Sequence, residues 1–209
     1  MTEISNNRRP GRRTLILLLA VFFLILLACF EGHLIGLLIL PGPRGRFVAG
    51  LGYWLGHGLV GAAFLIMLYG YGRLALQPGL KRVAGQALAA FLVAGLSVQV
   101  LKHLIGRPRP RLWEMGIKHF GPSLAEGFDS FPSGHTATAF AAALVFSRNY
   151  PPATPLFMAL ASLVAAARIT SGSHFPLDVL GGAALGLASG WLVLRWNPRR
   201  RSGMESVPR

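Results

Sequence analysis

The sequence predicts an all-α fold: an integral membrane protein built as a six-helix bundle. Of its 209 residues, 53% are hydrophobic and only 13% are charged. A soluble domain has about a quarter charged residues. The mean hydropathy is +0.51, which also indicates lipid as the solvent. Six apolar segments occur along the chain, and a membrane-spanning helix needs about 20 apolar residues. The length therefore leaves no room for a second soluble domain.

The six segments cover residues 14–30, 47–71, 83–101, 135–146, 155–169 and 177–194. The first is interpreted as a retained transmembrane helix rather than a signal peptide, because no small-residue cleavage site clearly follows it. The last three are short and rich in alanine and glycine, so we expect them to pack against other helices. Gly182, Gly186 and Gly190 recur every four residues on one helical face, which permits close helix approach.

The basic residues indicate an orientation in the membrane. The formal net charge is +14, but the basic residues lie at the ends of apolar runs, so membrane topology and anionic lipid explain them better than nucleic acid. A cytoplasmic N-terminus places 13 basic residues inside and 8 outside. We therefore predict basic cytoplasmic tails at 1–13 and 197–209 and a membrane domain at 14–196. Five of the outer charges crowd residues 102–118, which indicates an anionic substrate.

Two clusters of polar residues lie at the ends of apolar segments on the predicted outer side. Lys102 and Arg109 begin the only long connection, and both side chains suit phosphate oxygens. Ser133, Gly134 and His135 open the fourth segment. Serine is a common N-cap, the free N–H groups of a helix start bind anions, and glycine lets the backbone approach a phosphate.

A third cluster lies between the last two segments. Arg168 ends the fifth segment, and His174 and Asp178 are four residues apart, or about one helical turn. Such an aspartate can fix the tautomer of the histidine and leave the other ring nitrogen free as a nucleophile or base. In the six-helix topology all three clusters face the same side, so we expect them to converge.

These clusters resemble the three signature motifs of the type 2 phosphatidic acid phosphatase (PAP2) superfamily. The matching patterns are Lys102-x6-Arg109-Pro110, Pro132-Ser133-Gly134-His135 and Arg168-x5-His174-x3-Asp178. Their order and spacing make the resemblance specific. One departure is Ala167, where the family usually has serine before the third-motif arginine. It removes a hydroxyl near the phosphate but no catalytic group.

The resemblance implies a role for each motif residue. His174 attacks phosphorus and forms a phosphohistidine, Asp178 orients His174, and His135 protonates the leaving oxygen. The phosphoryl oxygens are bound by the remaining motif residues, Lys102, Arg109, Arg168, Ser133 and Gly134. With three cationic side chains present, we predict no metal and no other cofactor. The single cysteine, Cys29, also excludes an intrachain disulfide.

Several functions stay open at this point. The favoured one is a lipid phosphatase of the bacterial inner membrane, with its active site facing the periplasm or exterior and both termini in the cytoplasm. Its substrate is a phosphorylated lipid: undecaprenyl diphosphate, phosphatidic acid, phosphatidylglycerol phosphate or a lipid A phosphate. The alternatives are a lipid phosphotransferase using the same histidine, a vanadium haloperoxidase and a non-enzymatic lipid-binding protein. The spanning segments argue against the haloperoxidase, and the complete catalytic set argues against the binder.

A few polar residues outside the motifs have two interpretations each. His57 is interpreted as a packing residue in a glycine-rich helix. Glu31 and His33 either line the substrate entrance or are structural. Arg107 and its neighbours His103 and Arg111 have two interpretations. They contact a lipid head group or a second phosphate, or they belong to an ordinary charged loop at the membrane surface.

Overall fold

The computed structural model describes residues 12–196, and this part of the chain is helical, as predicted. Of the predicted tails 1–13 and 197–209, residues 1–11 and 197–209 lie outside the described residues, whereas Arg12 and Arg13 belong to the first helix. The helices are α1 (Arg12–Leu38), α2 (Gly42–Gly56), α3 (Gly58–Leu74), α4 (Pro78–Ile105), α5 (Pro110–Glu114), α6 (Gly134–Asn149), α7 (Thr154–Thr170) and α8 (Pro176–Trp196), with a 3₁₀ turn at Pro151–Ala153.

The predicted count of six membrane spans is not confirmed. Within residues 12–196, four helices are long and apolar enough to cross a membrane, namely α1, α4, α7 and α8. The α2–α3 pair makes a fifth span only if it is taken together, and it is bent by 48°. Helix α6 has 16 residues, or about 24 Å at the usual rise per residue, whereas the hydrocarbon core is about 30 Å thick.

Both differences from the predicted spans have local causes. The predicted second segment is two helices because His57 adopts an extended conformation (φ −65°, ψ 125°) that interrupts the helical hydrogen bonds. Gly56 and Gly58 flank it and are poor helix formers. Helix α6 ends just before Pro151 and Pro152, which cannot continue the helical hydrogen bonding.

Helix α6 lies at the centre of the bundle, packed against α4, α7 and α8. Its core is made of small side chains: Ala137 and Ala141 of α6 meet Ala87, Ala94 and Val98 of α4, all nearly or fully buried. Large apolar side chains point outward instead, as along α1. This inverted distribution is what a lipid-facing bundle requires, because membrane helices associate through small residues rather than by burying large ones.

The glycine face of α8 lies directly against α6. A Cβ atom added to Gly182 would lie 2.5 Å from the carbonyl oxygen of Ser133, and one added to Gly186 would lie 2.2 Å from that of Ala137. At Gly190 the corresponding distance to the Ala141 oxygen is 3.0 Å. The predicted close approach is therefore confirmed.

The three polar clusters meet at one end of the bundle. The Ser133 N–H donates to the Asp178 carbonyl at 2.9 Å and joins the starts of α6 and α8, and the His174 N–H donates to the Arg168 carbonyl at the end of α7 at 3.2 Å. The chain just after α4 is held there by the Ser130 N–H, which donates to the Arg107 carbonyl at 3.0 Å. Glu31, near the end of α1, contacts the same region. The start of α1 and the end of α8 therefore lie at the opposite end.

Candidate active site

A cavity of about 590 Å³ opens where these helix ends meet. Six of the eight predicted site residues line it: Lys102, Arg109, Gly134, His135, Arg168 and His174. The other two, Ser133 and Asp178, are fully buried behind the cavity wall. The structure thus brings the three clusters together and separates residues that face the cavity from residues that support them.

The first cluster is shaped by a left-handed turn after α4. Gly106 has φ +54°, and a Cβ there would lie 1.7 Å from the carbonyl oxygen of Gly121, so the position requires glycine. The turn leaves Lys102 in the last turn of α4, and Arg109 directly precedes α5. Both cationic groups therefore reach the cavity from the same side.

Asp129 joins these two cations in the long connection. Its carboxylate accepts bonds from Arg109 Nε at 2.8 Å and Nη2 at 2.7 Å, and from Lys102 Nζ at 3.3 Å. Burial raises the pKa of the Asp129 carboxyl, but the hydrogen bonds and charges of Arg109 and Lys102 outweigh it and hold that pKa at about 2. The bidentate contact fixes the plane of the Arg109 guanidinium.

The start of α6 brings backbone N–H groups to the cavity. Ser133 occupies the N-cap position, but its side chain makes no capping bond. Its hydroxyl instead accepts a bond from the Thr136 hydroxyl at 3.0 Å. Gly134 lines the cavity, and the first N–H groups of a helix have no partner within the helix. The backbone at Gly134 can therefore donate to an anion, whereas the Ser133 side chain has a supporting position.

His174 is held in one tautomer by the backbone. Its Nδ1 lies 2.8 Å from the carbonyl oxygen of Ser130 and 3.6 Å from Asp178 Oδ2. A carbonyl oxygen can only accept a hydrogen bond, so Nδ1 is the donor. The expected direct bond to Asp178 is thus replaced by a bond to Ser130. Nδ1 carries the hydrogen, so Nε2 holds the lone pair. Burial lowers the pKa of His174, against the opposing effect of Asp178.

Asp178 is itself fixed by several donors. Its Oδ2 accepts the Phe175 N–H at 2.8 Å and the Ser130 hydroxyl at 2.6 Å, and its Oδ1 accepts from Arg107. Ser130 therefore contacts both His174 and Asp178. An aspartate with this many donors remains a carboxylate and stabilises positive charge on the neighbouring imidazole.

Two nitrogen atoms of cavity-lining residues are buried without a partner in the described structure, Arg168 Nε and His135 Nε2. Buried polar atoms are nearly always paired. Arg168 comes from the last turn of α7 and His135 from the first turn of α6. A phosphoryl group with its leaving oxygen would supply acceptors for both.

Four supporting residues, Glu31, Arg107, Asp129 and Ser130, bond to site residues or to each other. The sequence analysis singled out Glu31 and Arg107 without identifying their partners, and it missed the roles of Asp129 and Ser130. Glu31 carried the clearest signal, because an acidic residue inside an apolar helix needs a partner. The departure at Ala167 also has a structural context. Ala167 is fully buried, and a Cβ on Gly52 of α2 would lie 2.0 Å from its Cβ, so this position belongs to the α2–α7 contact.

The fold and the site together define a multi-pass membrane protein whose cavity is lined by two histidines and three cationic side chains. A family model described as the PAP2 superfamily matches residues 83–202. The chain belongs to this superfamily, which confirms the resemblance inferred from the three motifs.

Relatives with known names match about half of the chain. Lipid A 1-phosphatase of Rhizobium etli is 38% identical over 103 residues, which is 48% of this chain and 43% of the relative. Undecaprenyl-diphosphatase BcrC of Bacillus subtilis is 33% identical over 120 residues, or 56% of this chain and 60% of the relative. The chain thus matches less than half the length of the lipid A phosphatase.

Two crystal structures resemble the whole bundle. Aquifex aeolicus LpxE superimposes with a TM-score of 0.61 and 28% identity, covering 78% of this chain and 94% of the other. The transmembrane PAP2-type phosphatidylglycerolphosphate phosphatase of Bacillus subtilis superimposes with a TM-score of 0.50 and 22% identity, covering 91% of this chain and 98% of the other. The second likeness supports the fold alone.

Proposed function

We propose that the protein is a metal-independent lipid phosphatase that hydrolyses a phosphomonoester or diphosphate of a membrane lipid through a phosphohistidine at His174. One observation carries the proposal. The Ser130 carbonyl fixes the proton of His174 on Nδ1, so the Nε2 lone pair is available in a cavity lined by Lys102, Arg109 and Arg168. A neutral imidazole among cations is a nucleophile placed where phosphoryl oxygens bind.

The reaction takes two displacements at phosphorus. In the first, the Nε2 lone pair of His174 forms the N–P bond, the bond to the leaving oxygen breaks, and His135 gives that oxygen a proton. In the second, His135 takes a proton from water, whose oxygen attacks phosphorus and releases His174 and inorganic phosphate. The three cations and the Gly134 N–H stabilise the charge of the transferring group throughout.

A lipid substrate is supported by the apolar walls of the same cavity. Beyond the charged end, the cavity is lined by Leu59 of α3 and by Leu92 and Leu96 of α4, which are exposed on the outside of the bundle. A phosphate at His174 can therefore remain attached to a chain that lies between α3 and α4. Among the four candidate substrates, the similarity to the lipid A 1-phosphatase of Rhizobium etli, 38% identical over 103 residues, supports testing lipid A first.

The proposed location is the bacterial inner membrane, with the site facing the periplasm or exterior. The excess of basic residues in the segments that the sequence predicts to be cytoplasmic supports this orientation. The start of α1 and the end of α8 lie at that opposite end, which is consistent with two cytoplasmic termini.

The test is phosphate release by the purified protein in detergent from lipid A, undecaprenyl diphosphate, phosphatidic acid and phosphatidylglycerol phosphate. We expect His174→Ala to lower release by more than about a thousandfold, as loss of a nucleophile does elsewhere, and EDTA to leave the wild-type rate largely intact. Within residues 12–196 no group of three or more His, Cys, Asp or Glu side chains is arranged to hold a metal.

Other outcomes would overturn parts of the proposal. Near-normal release by a folded His174→Ala variant would contradict the mechanism, and a strict need for Mg²⁺ would contradict the site as described. Release that appears only when a second lipid is added as acceptor would identify a phosphotransferase, because the same phosphohistidine would then pass its phosphoryl group to lipid instead of water.

A further inference from the structure

A buried charge network connects the first helix to the catalytic aspartate. Arg107 donates from Nη1 to Asp178 and from Nη2 to Glu31 of α1. Its guanidinium also lies over the Phe175 ring, 4.5 Å from the ring centroid. Glu31, Arg107 and Asp178 are 3%, 4% and 0% exposed. The cavity wall does not include them, so Arg107 serves two carboxylates rather than a head group or phosphate.

Glu31 is buried, and each of its two carboxylate oxygens accepts a hydrogen bond. Its Oε1 accepts from Arg107 and its Oε2 accepts the Leu177 N–H at 3.2 Å. Leu177 lies in the first turn of α8, where unpaired N–H groups and the helix dipole attract an anion. A buried carboxylate is costly unless it is paired in this way.

The charges of the network matter to His174. If Glu31 were neutral, Arg107 would cancel the charge of Asp178, and the pair would have a net charge of zero. With Glu31 ionised, the three side chains together carry one negative charge. His174 gains one positive charge when its Nε2 is phosphorylated while Nδ1 keeps its proton. The network and the charged imidazole then balance.

We infer that Glu31 and Arg107 are positioning residues for catalysis, with Arg107 fixing the carboxylate of Asp178 and Glu31 offsetting the charge of Arg107 so that Asp178 can stabilise positively charged His174. This inference rests on the proposed function for its catalytic meaning. The electrostatic part concerns the His174 imidazole alone and can be measured without turnover.

The test compares three variants with the wild type. Glu31→Gln keeps the shape and removes the charge, leaving the network neutral. Arg107→Gln leaves two buried carboxylates. The double variant Glu31→Gln/Arg107→Gln restores a single negative charge on Asp178. Glu114→Gln is the matched control, because it makes the same change at an exposed residue of α5.

We expect Glu31→Gln to lower kcat by about ten- to hundredfold, the usual cost of removing a partner of a catalytic group, with KM within about twofold. The double variant should recover at least about threefold over Glu31→Gln, since its charge matches the wild type. A double variant no faster than either single variant would overturn the inference, because two lost structural contacts cannot compensate each other.

A second readout separates this inference from the proposed function. The pKa of His174, followed by NMR of labelled histidine and assigned with His174→Gln, should fall in Glu31→Gln and return toward the wild-type value in the double variant. The other charged and titratable groups facing His174, which are Lys102, Arg109, His135 and Arg168, stay unchanged. The expected pKa pattern without phosphatase activity would contradict the function alone. An unchanged pKa in a folded Glu31→Gln variant would contradict the inference alone.

Discussion

At the scale of single residues, the protonation state of His174 determines when the enzyme can work. His174, the proposed nucleophile, must be neutral to attack phosphorus, and burial lowers its pKa below the ordinary value of 6.5. A lowered pKa keeps the imidazole neutral as the pH falls through 6.5. We therefore predict that the acidic limb of kcat/KM against pH has its midpoint below 6.5. A midpoint above 7, measured in detergent with a soluble phosphate ester, would contradict this account of the site.

Asp129 is the second residue with a defined role, as the orienter of two phosphate-binding cations. Its bidentate contact fixes the Arg109 guanidinium, and an amide cannot reproduce both charge-assisted bonds. Asp129→Asn should lower kcat/KM by about ten- to hundredfold, because small misplacements of binding groups are that costly. Glu126→Gln, three residues away and exposed, is the control. Unchanged kcat/KM in Asp129→Asn would show that Arg109 needs no orientation.

The sequence predicted the residues that face the cavity and two that lie behind it, Ser133 and Asp178, but not the side chains and carbonyl that hold them in place. Lys102, His135 and His174 were recognisable because each lies in a short pattern with fixed spacing. Glu31 and Arg107 are 76 residues apart, and nothing in their local sequence indicates that they meet. The hydrogen bond from His174 to the Ser130 carbonyl could not be predicted from the sequence either. Every residue has a backbone carbonyl, and only the fold determines which one lies next to His174.

At the scale of helices, hydropathy located the segments but not their interruptions. The predicted segment 155–169 agrees with α7, and 177–194 agrees with α8 to within a few residues. The segment 47–71 is wrong as one helix, because apolar composition continues through the break at His57. A break of this kind is set by backbone conformation and by packing of α2 against α7, neither of which changes the hydropathy.

The glycine face of α8 gives a prediction at the same scale. Gly186→Ala would place a Cβ 2.2 Å from the Ala137 carbonyl of α6, and such overpacking costs about 1–3 kcal/mol. We expect the Tm in detergent to fall by about 2–12 °C, using the usual shift per kcal/mol for a chain of this size. Gly70→Ala in α3 is the control, because a Cβ there meets nothing within 4 Å. Equal Tm values for the two variants would argue against the close α6–α8 contact.

At the scale of the whole molecule, four helix ends form the end of the bundle that holds the candidate site, and the start of α1 and the end of α8 lie at the other. This arrangement predicts that single cysteines placed near the catalytic end and near the C-terminus label from opposite sides of the membrane. In a Cys29→Ala background, an impermeant maleimide added to intact cells should modify a cysteine at Leu124, which is 86% exposed beside the site. A cysteine at Ser202 should react only after lysis. The reverse pattern would place the site in the cytoplasm.

The central claim is that the phosphoryl group passes through His174. The most direct measurement is rapid acid-free quenching of the purified protein during turnover of a lipid labelled in its phosphate, followed by peptide mass spectrometry. The account predicts a phosphoryl group on the peptide that contains His174, stable to base and lost in acid, in the wild type. The label should be absent from His174→Ala. Sustained turnover with no labelled histidine, or with the label on another side chain, would contradict the mechanism.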